Sequence, residues 1–244
     1  MKKTVNGQPS LSKRMQALVQ MVDERRVADI GCDHAFVSVD LLLSNKAETV
    51  IAMDVRKGPL AIAEKNIRSY GLQNKISVRL SDGFSALAVG EVDCAIIAGM
   101  GGLLMVRILQ QAKEHLSAGI HLVLQPQSEA DQLRSFLVEQ GYMIVAEQML
   151  IDEDKFYTVI KAVPAKGQSV RYTKAELCFG PCLLRNRNEV LHTYLIRQDA
   201  KLRELRERLL HIDTDKAKER LNQIEAEWCL IRESLHIFVE EAGR

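Results

Sequence analysis

Val27-Ala28-Asp29-Ile30-Gly31-Cys32-Asp33-His34 reads as a short buried strand that runs into a glycine turn, with a carboxylate on either side of the glycine. Glycine at such a turn lets the backbone pass close to a ligand, or adopt a positive φ, with no side chain in the way. In open α/β sheets, ligands bind where strands of this kind end. Two more apolar runs repeat the pattern: Ile51-Ala52-Met53 is closed by Asp54, and residues 76–80 are followed by Asp82-Gly83. A single aspartate at a strand end is ordinarily a turn residue or a helix cap. Three in succession, at spacings that suit one βαβαβ half-sheet, describe a site. Asp54 is placed to accept two ribose hydroxyl hydrogens of an adenosine-containing cofactor, and Asp82 to accept from an adenine amino group.

A nicotinamide-dinucleotide enzyme would share the first two acids but would also carry G-x-G-x-x-G. Here the turn is Gly31-Cys32-Asp33-His34-Ala35-Phe36, which keeps one glycine and puts a carboxylate where a pyrophosphate would lie. The Walker pattern is absent as well. S-adenosylmethionine has no phosphate, and acidic groups suit its ammonium and sulfonium charges. Cys32 borders this pocket, where it is either a packing residue or open to alkylation.

Outward from this stretch, β-rich runs at residues 27–30, 49–53, 76–80, 94–98 and 122–124 alternate with helical patterns at 36–43, 60–70, 103–116 and 129–140. That alternation predicts a mostly parallel sheet with helices on both faces, a Rossmann-like α/β fold. The strands lack polar/apolar alternation, as strands covered on both faces do. A helix is expected ahead of them at residues 10–22. After Gly141 the runs at 142–150 and 156–162 have no helix between them, which predicts an antiparallel hairpin closing the sheet. Ile96-Ile97-Ala98-Gly99-Met100-Gly101-Gly102 places three glycines after the fourth strand, suggesting backbone that lines a site and a helix presenting its N-terminus there. Gln125-Pro126-Gln127 ends the fifth strand on the same rim.

Pro164, Gly167 and Ser169 mark a linker, so residues 1–165 form the expected cofactor-binding domain and 166–244 a helical one. In the latter, Leu191, Leu195, Leu202, Leu205, Leu209 and Ile212 step by threes and fours, with Gln198 in one apolar slot. Leu221, Ile224, Trp228, Ile231, Leu235 and Phe238 repeat the rhythm after the helix-start signal Asp213-Thr214-Asp215. Two helices of about four turns, folded back as an antiparallel coiled coil, would bury both stripes within one chain, and a monomer is expected.

The chain has 244 residues, 47% hydrophobic and 27% charged, and a net charge of +1, so only the distribution of charge bears on nucleic acid. No apolar stretch approaches the roughly 20 residues that cross a bilayer. The N-terminus has no apolar core of a secretory signal. The five scattered cysteines make no zinc pattern, Cys178 and Cys182 being spaced for one helix face. A cytoplasmic protein without metal is expected.

The ordered set Ser12-Lys13-Arg14-Met15, residues 28–36, 51–60 and 80–84, the 96–102 turn, Leu124-Gln125-Pro126-Gln127 and residues 154–160 resembles the bacterial tRNA (adenine-22-N-1)-methyltransferase family, TrmK, over nearly the whole chain. The resemblance implies a seven-stranded class I methyltransferase sheet. It also implies S-adenosylmethionine lying across Asp29, Gly31, Cys32, Asp33, His34, Asp54, Val55, Asp82, Gly83, Gly99, Met100 and Gly101. Compared with methyltransferases at large, Asp33 and Ala35 replace glycines of the first loop.

Adenine N-1 carries an in-plane lone pair in the neutral base, so the task is alignment and exclusion of water, with a nearby carboxylate to stabilise the cationic product. Asp33 and His34 are the candidates to orient or stabilise the reacting pair. A stacked adenine must be exposed or flipped, and tRNA binding has to offset that cost. Arg14, Gln125 and Pro126 are the expected substrate contacts near the rim. Lys2, Lys3, Lys13, Arg25 and Arg26, and Arg203 and Arg206 in the tail, are expected to track phosphate. A small-molecule or protein methyltransferase, or a non-catalytic RNA-binding scaffold, are the rival readings; both lack a use for part of this set.

Overall fold

Ser12 opens the first helix because its Oγ accepts from Met15 N, so α1 spans Lys13–Met21, shorter at its start than the apolar periodicity predicts. The computed structural model describes residues 9–239, and Lys2 and Lys3 lie outside that range. Beyond α1 the order is β1 (Arg26–Ile30), α2 (Phe36–Leu43), β2 (Thr49–Asp54), α3 (Lys57–Ser69), β3 (Ile76–Leu80), β4 (Cys94–Met100), α4 (Gly102–Gln111), α5 (Lys113–Ser117), β5 (His121–Pro126), α6 (Ala130–Glu139), β6 (Tyr142–Asp152) and β7 (Lys155–Pro164). The single helix expected over 103–116 is two. Ala112 leaves helical geometry between them (φ −97°, ψ 26°), and the bend lets His115 Nε2 meet the Leu87 carbonyl at 3.0 Å.

The seven strands form one sheet in the order β3-β2-β1-β4-β5-β7-β6, parallel throughout except for β7. It is the class I methyltransferase sheet that the resemblance implies. β1 lies between β2 and β4, with Ile30 beside both Met53 and Ile97. The crossovers diverge on either side of it, so the carboxyl end of β1 is the crevice where such sheets take ligands. Val27, Ala28, Asp29 and Ile30 are all buried, as are Val50 through Asp54.

At the opposite edge, buried Lys161 of β7 bonds Asp23 at 2.8 Å and lies 3.0 Å from Glu24, tying the α1–β1 turn to the hairpin. Burial alone would raise the Glu24 carboxyl, but hydrogen bonds with His121 and Lys161 outweigh it and hold the pKa at about 2.

The chain divides into two compact units, Met1–Val170 and Arg171–Arg244. The second holds α7 (Lys174–Phe179), α8 (Pro181–Arg185), α9 (Glu189–Leu210) and α10 (Asp215–Val239). α9 and α10 pack on each other, each of about six turns or more where four were expected. Thr214 Oγ1 accepts from Ala217 N and starts α10. Leu191, Leu195, Leu202, Ile224 and Ile231 are buried between them, while Ile212 falls in the connecting turn and is exposed. Cys178 and Cys182 do not share a helix face: Gly180 (φ +100°) and Pro181 end α7 and start α8 between them.

Candidate active site

The turn after β1 is held from several sides. Gly31 has φ +76°, and its N–H and that of Cys32 both donate to the Met53 carbonyl, at 2.8 and 2.9 Å, pinning the turn to the end of β2. A Cβ at Gly31 would collide with Met100 Cε, so the β4 turn lies directly over the first loop. Asp33 (φ 48°) and Ala35 (φ 57°) also adopt the left-handed conformation, where a side chain costs about 1–2 kcal/mol. The loop keeps that geometry because Asn66 Nδ2 donates to the His34 carbonyl at 2.9 Å and Ala35 N to Cys32 O at 2.7 Å.

Three carboxylates sit at this edge. Asp29 is buried and accepts from Ser38 Oγ at 2.6 Å. Burial pushes its pKa up to about 6, partly offset by Ser38 and reinforced by the Asp54 charge. Asp54 is buried too; its Oδ1 accepts from Arg56 N at 2.9 Å and lies 3.6 Å from Arg56 Nε. Among the described residues its Oδ2 accepts no hydrogen bond. Asp33 is largely exposed, with His34 Nδ1 at 3.6 Å and the His34 ring edge-on to Phe36. Burial, with Asp29, Asp54 and Asp33 nearby, pushes the Cys32 thiol far up. It is therefore a neutral packing group, since the reactive form is the thiolate.

Near the end of β4, Gly99 takes φ +75° where the β4–β5 register shifts. Gly102 has a different reason to be glycine: a Cβ there would collide with the carbonyl oxygens of Ser128 and Glu129, and its N–H is bonded to Ser128 O at 2.9 Å. The start of α4 thus packs on the 128–129 loop, where the sequence suggested a helix N-terminus aimed at the site.

These elements enclose a cavity of about 420 Å³ lined by Arg14, Met15 and Leu18 of α1, Asp29, Gly31, Cys32 and Asp33, Val37, Asp54 and Arg56, Ile96, Ala98, Gly99 and Met100, and Gln127. Buried Gln125 stands behind Gly99, accepting at Oε1 from Gly99 N (3.2 Å) and Arg14 Nη1 (3.3 Å). Val55, Asp82, Gly83, Gly101, His34 and Pro126 lie outside the lining. β3 stops at Leu80, and Asp82 faces solvent in the turn that follows. In the second unit, Arg203 is paired with Asp199 at 2.6 Å, and Arg206 with Glu225 at 3.2 Å.

A second cavity, of about 450 Å³, opens at the amino ends of β1, β4 and β5. Its polar groups are already paired, Arg26 with Asp93 and His121 with Glu24, so it makes no active site. Among the described residues no group of three or more His, Cys, Asp or Glu side chains is placed to hold a metal, and no helix is long and apolar enough to cross a membrane.

Residues 27–233 match the family described as tRNA (adenine(22)-N(1))-methyltransferase, TrmK. The chain belongs to that family. It is 31% identical to the tRNA (adenine(22)-N(1))-methyltransferase of Bacillus subtilis over 91% of this chain and 96% of the relative. The crystal structure of the B. subtilis m1A22 tRNA methyltransferase TrmK superposes with a TM-score of 0.81 at 29% identity, covering 93% of this chain and 99% of that one. TrmK of M. capricolum, solved with the cofactor product S-adenosylhomocysteine, gives 0.80 at 25% identity over 93% and 98%. Within this TrmK chain, Arg56 and the α1 wall of Met15 and Leu18 escaped the sequence reading. Arg56 stood inside the Ile51–Leu60 motif, two residues past Asp54. The α1 wall carried no chemical signal, because apolar residues on a helix stripe read as core.

Proposed function

We infer that this TrmK chain transfers a methyl group from S-adenosylmethionine to N-1 of adenine 22 in tRNA. The observation that carries the reading is the cavity at the carboxyl ends of β1, β2 and β4, in a chain whose family membership spans both units. The residues fit the donor. Asp54 brings a buried carboxylate with Oδ2 unspent to the cavity wall, suited to a pair of ribose hydroxyls. Gly31 and Gly99 leave room at the cavity wall for neighbouring side chains, Met100 beside the first and Arg14 beside the second. When bound, S-adenosylmethionine supplies an electrophilic methyl on a sulfonium.

The chain's own residues then have three tasks. Asp54, with the backbone of Gly31, Cys32 and Asp33, holds and orients the donor. Met15, Leu18 and Val37 keep water from the reacting groups. No base is needed, because N-1 is already a nucleophile. Its product is a cation, and Asp33 is the carboxylate at the open side of the cavity that stabilises it, with His34 beside Asp33 as a positioning residue. Arg203 and Arg206 carry tRNA phosphate. The packing of α9 on α10 within one chain supports a monomer, and cysteines present as thiols support a cytoplasmic setting.

The test is incubation with unmodified tRNA and methyl-labelled S-adenosylmethionine, followed by digestion and nucleoside identification. Label in N-1-methyladenosine, lost when adenine 22 is replaced by guanine, is the expected result. Label in another nucleoside, or none, would overturn it.

A further inference from the structure

We propose that Gln127 selects the target adenine, its carboxamide pairing with N-6 and N-7 of the base and leaving N-1 open to the methyl group. The proposal deepens the reading of the acceptor and rests on it.

Backbone contacts hold Gln127 at the rim. Its N–H donates to Met100 O at 2.8 Å, and Pro126 before it is registered against Met100 where β4 and β5 end. The side chain reaches back over the Gly99 turn as part of the cavity lining, with Nε2 3.9 Å from the point a Gly99 Cβ would occupy. The residue is exposed, so it stands at the mouth of the cavity and not on its floor.

Location separates it from the donor. The strands cross the site in the order β2-β1-β4-β5. Asp54, to which the donor reading gives the ribose, ends β2. Gln127 follows β5, three strand spacings or roughly 14 Å from the Asp54 strand. A base entering from the β5 side meets Gln127 before it meets the methyl group.

The other polar groups of the cavity already have neighbours. Asp29 accepts from Ser38, Asp54 accepts from Arg56 N, Asp33 lies beside His34, and Arg14 donates to Gln125. Buried Gln125, behind the cavity, is itself engaged: Oε1 takes Gly99 N and Arg14 Nη1, and Nε2 donates to Pro126 O at 3.0 Å. Gln127 is the one carboxamide in the lining, and among the described residues its side chain makes no hydrogen bond.

Chemistry then chooses the edge of the base. A carboxamide offers an acceptor and donors side by side. Adenine matches it in two ways, through N-1 with N-6 on the Watson–Crick edge or through N-7 with N-6 on the opposite one. The first would put an Nε2 hydrogen on the lone pair that must attack the sulfonium methyl. The second leaves N-1 free: Oε1 accepts from the N-6 amino group and Nε2 donates to N-7, as glutamine does when it reads adenine in the major groove. Guanine has O-6 in place of the amino group and would face Oε1 with a second acceptor.

Methyl transfer to three versions of the tRNA tests this, with adenine, 7-deazaadenine (no N-7 acceptor) or purine (no N-6 amino group) at position 22. The readout is kcat/KM for each in wild type, Gln127→Leu and Gln127→Glu. Intrinsic N-1 reactivity differs among the bases, but it cancels when their ratios are compared between variants. Wild type should favour adenine over either analogue by roughly 2- to 10-fold more than Gln127→Leu does, the span of one neutral hydrogen bond. Gln127→Glu keeps the acceptor and loses the donor. It should therefore retain discrimination against purine and lose that against 7-deazaadenine. Calorimetric affinity for S-adenosylhomocysteine should stay within about twofold of wild type in both variants, which also establishes that they are folded. Equal ratios in wild type and Gln127→Leu, or S-adenosylhomocysteine affinity that falls with the leucine change, would overturn the proposal. No transfer by wild type to the adenine-22 tRNA, with S-adenosylhomocysteine still bound, would instead overturn the acceptor reading beneath it.

Discussion

Asp29 shows how one buried side chain ties the site to solution conditions. Its folded pKa of about 6 lies above the ordinary 3.8, with burial the main cause. A raised carboxyl pKa stabilises the fold through the bound proton; that gain is complete below about 3.8 and is lost as pH rises through about 6. Asp29→Asn removes the titration. The stability of wild type relative to this variant should therefore improve by about 2 kcal/mol between about pH 7.5 and pH 4.5, read from denaturant melts at each pH. A constant difference would mean that Asp29 is ionised throughout. Gly102 gives a second residue-scale prediction. Glycine to alanine inside a helix ordinarily gains about 1 kcal/mol. Here the new methyl would strike two backbone carbonyls, so Gly102→Ala should instead cost about 1–3 kcal/mol and lower Tm. Residues whose chemistry depends on where a strand stops were legible in the sequence: Asp54, Gly31 and Gly99 follow apolar runs directly and line the cavity. Asp82 looked equivalent, but β3 ends two residues before it and the turn carries it out to solvent. What holds Arg14 was not legible, because its backbone N–H donates to Asp152, 138 positions away along the chain.

Among the elements, α6 and β6 are joined by an ion pair with no solvent around it: Arg134 Nε donates to Glu147 Oε1 at 2.8 Å, with the side chains 1% and 0% exposed. Removing one partner from such a pair strands a buried charge. Glu147→Gln should destabilise the sheet unit by about 3–5 kcal/mol, whereas the double change Arg134→Met, Glu147→Met should recover much of that loss. A urea titration of the two variants separates the outcomes. If the single change is harmless, Arg134 has found another acceptor. Element order was readable because the central strands β1, β2 and β4 are short apolar runs and the long helices carry apolar stripes, broken in α9 only at Gln198. The short elements were not. α7 and α8 have six and five residues, too few to establish a helical period. The Gly180-Pro181 step that separates them is nonetheless a visible stop-and-start signal. The lengths of α9 and α10 were underestimated for different reasons: α10 starts six residues ahead of its apolar stripe, whereas in α9, capped by Asn188, the stripe from Leu191 to Leu209 already spans more than five turns.

For the whole molecule, a net charge of +1 leaves tRNA binding to local patches, and the tail's arginines are largely balanced by neighbours such as Asp199, Glu204 and Glu225. Phosphate must compete with those partners. Each arginine then contributes less than a full counterion, and Arg203→Glu with Arg206→Glu should reduce the salt slope of tRNA binding by roughly 1 while leaving S-adenosylhomocysteine affinity unchanged. Filter binding across a salt series reads both, and an unchanged slope would take the tail out of phosphate recognition. The topology has a separate consequence during synthesis. Among the described residues β7 is the last strand, yet in the sheet it lies between β5 and β6 and holds β6 at the edge. The ribosome therefore delivers a five-stranded sheet first and the hairpin that seals it last. A translational pause between Pro126 and Lys155 would prolong the interval in which the β5 edge can pair with another nascent chain.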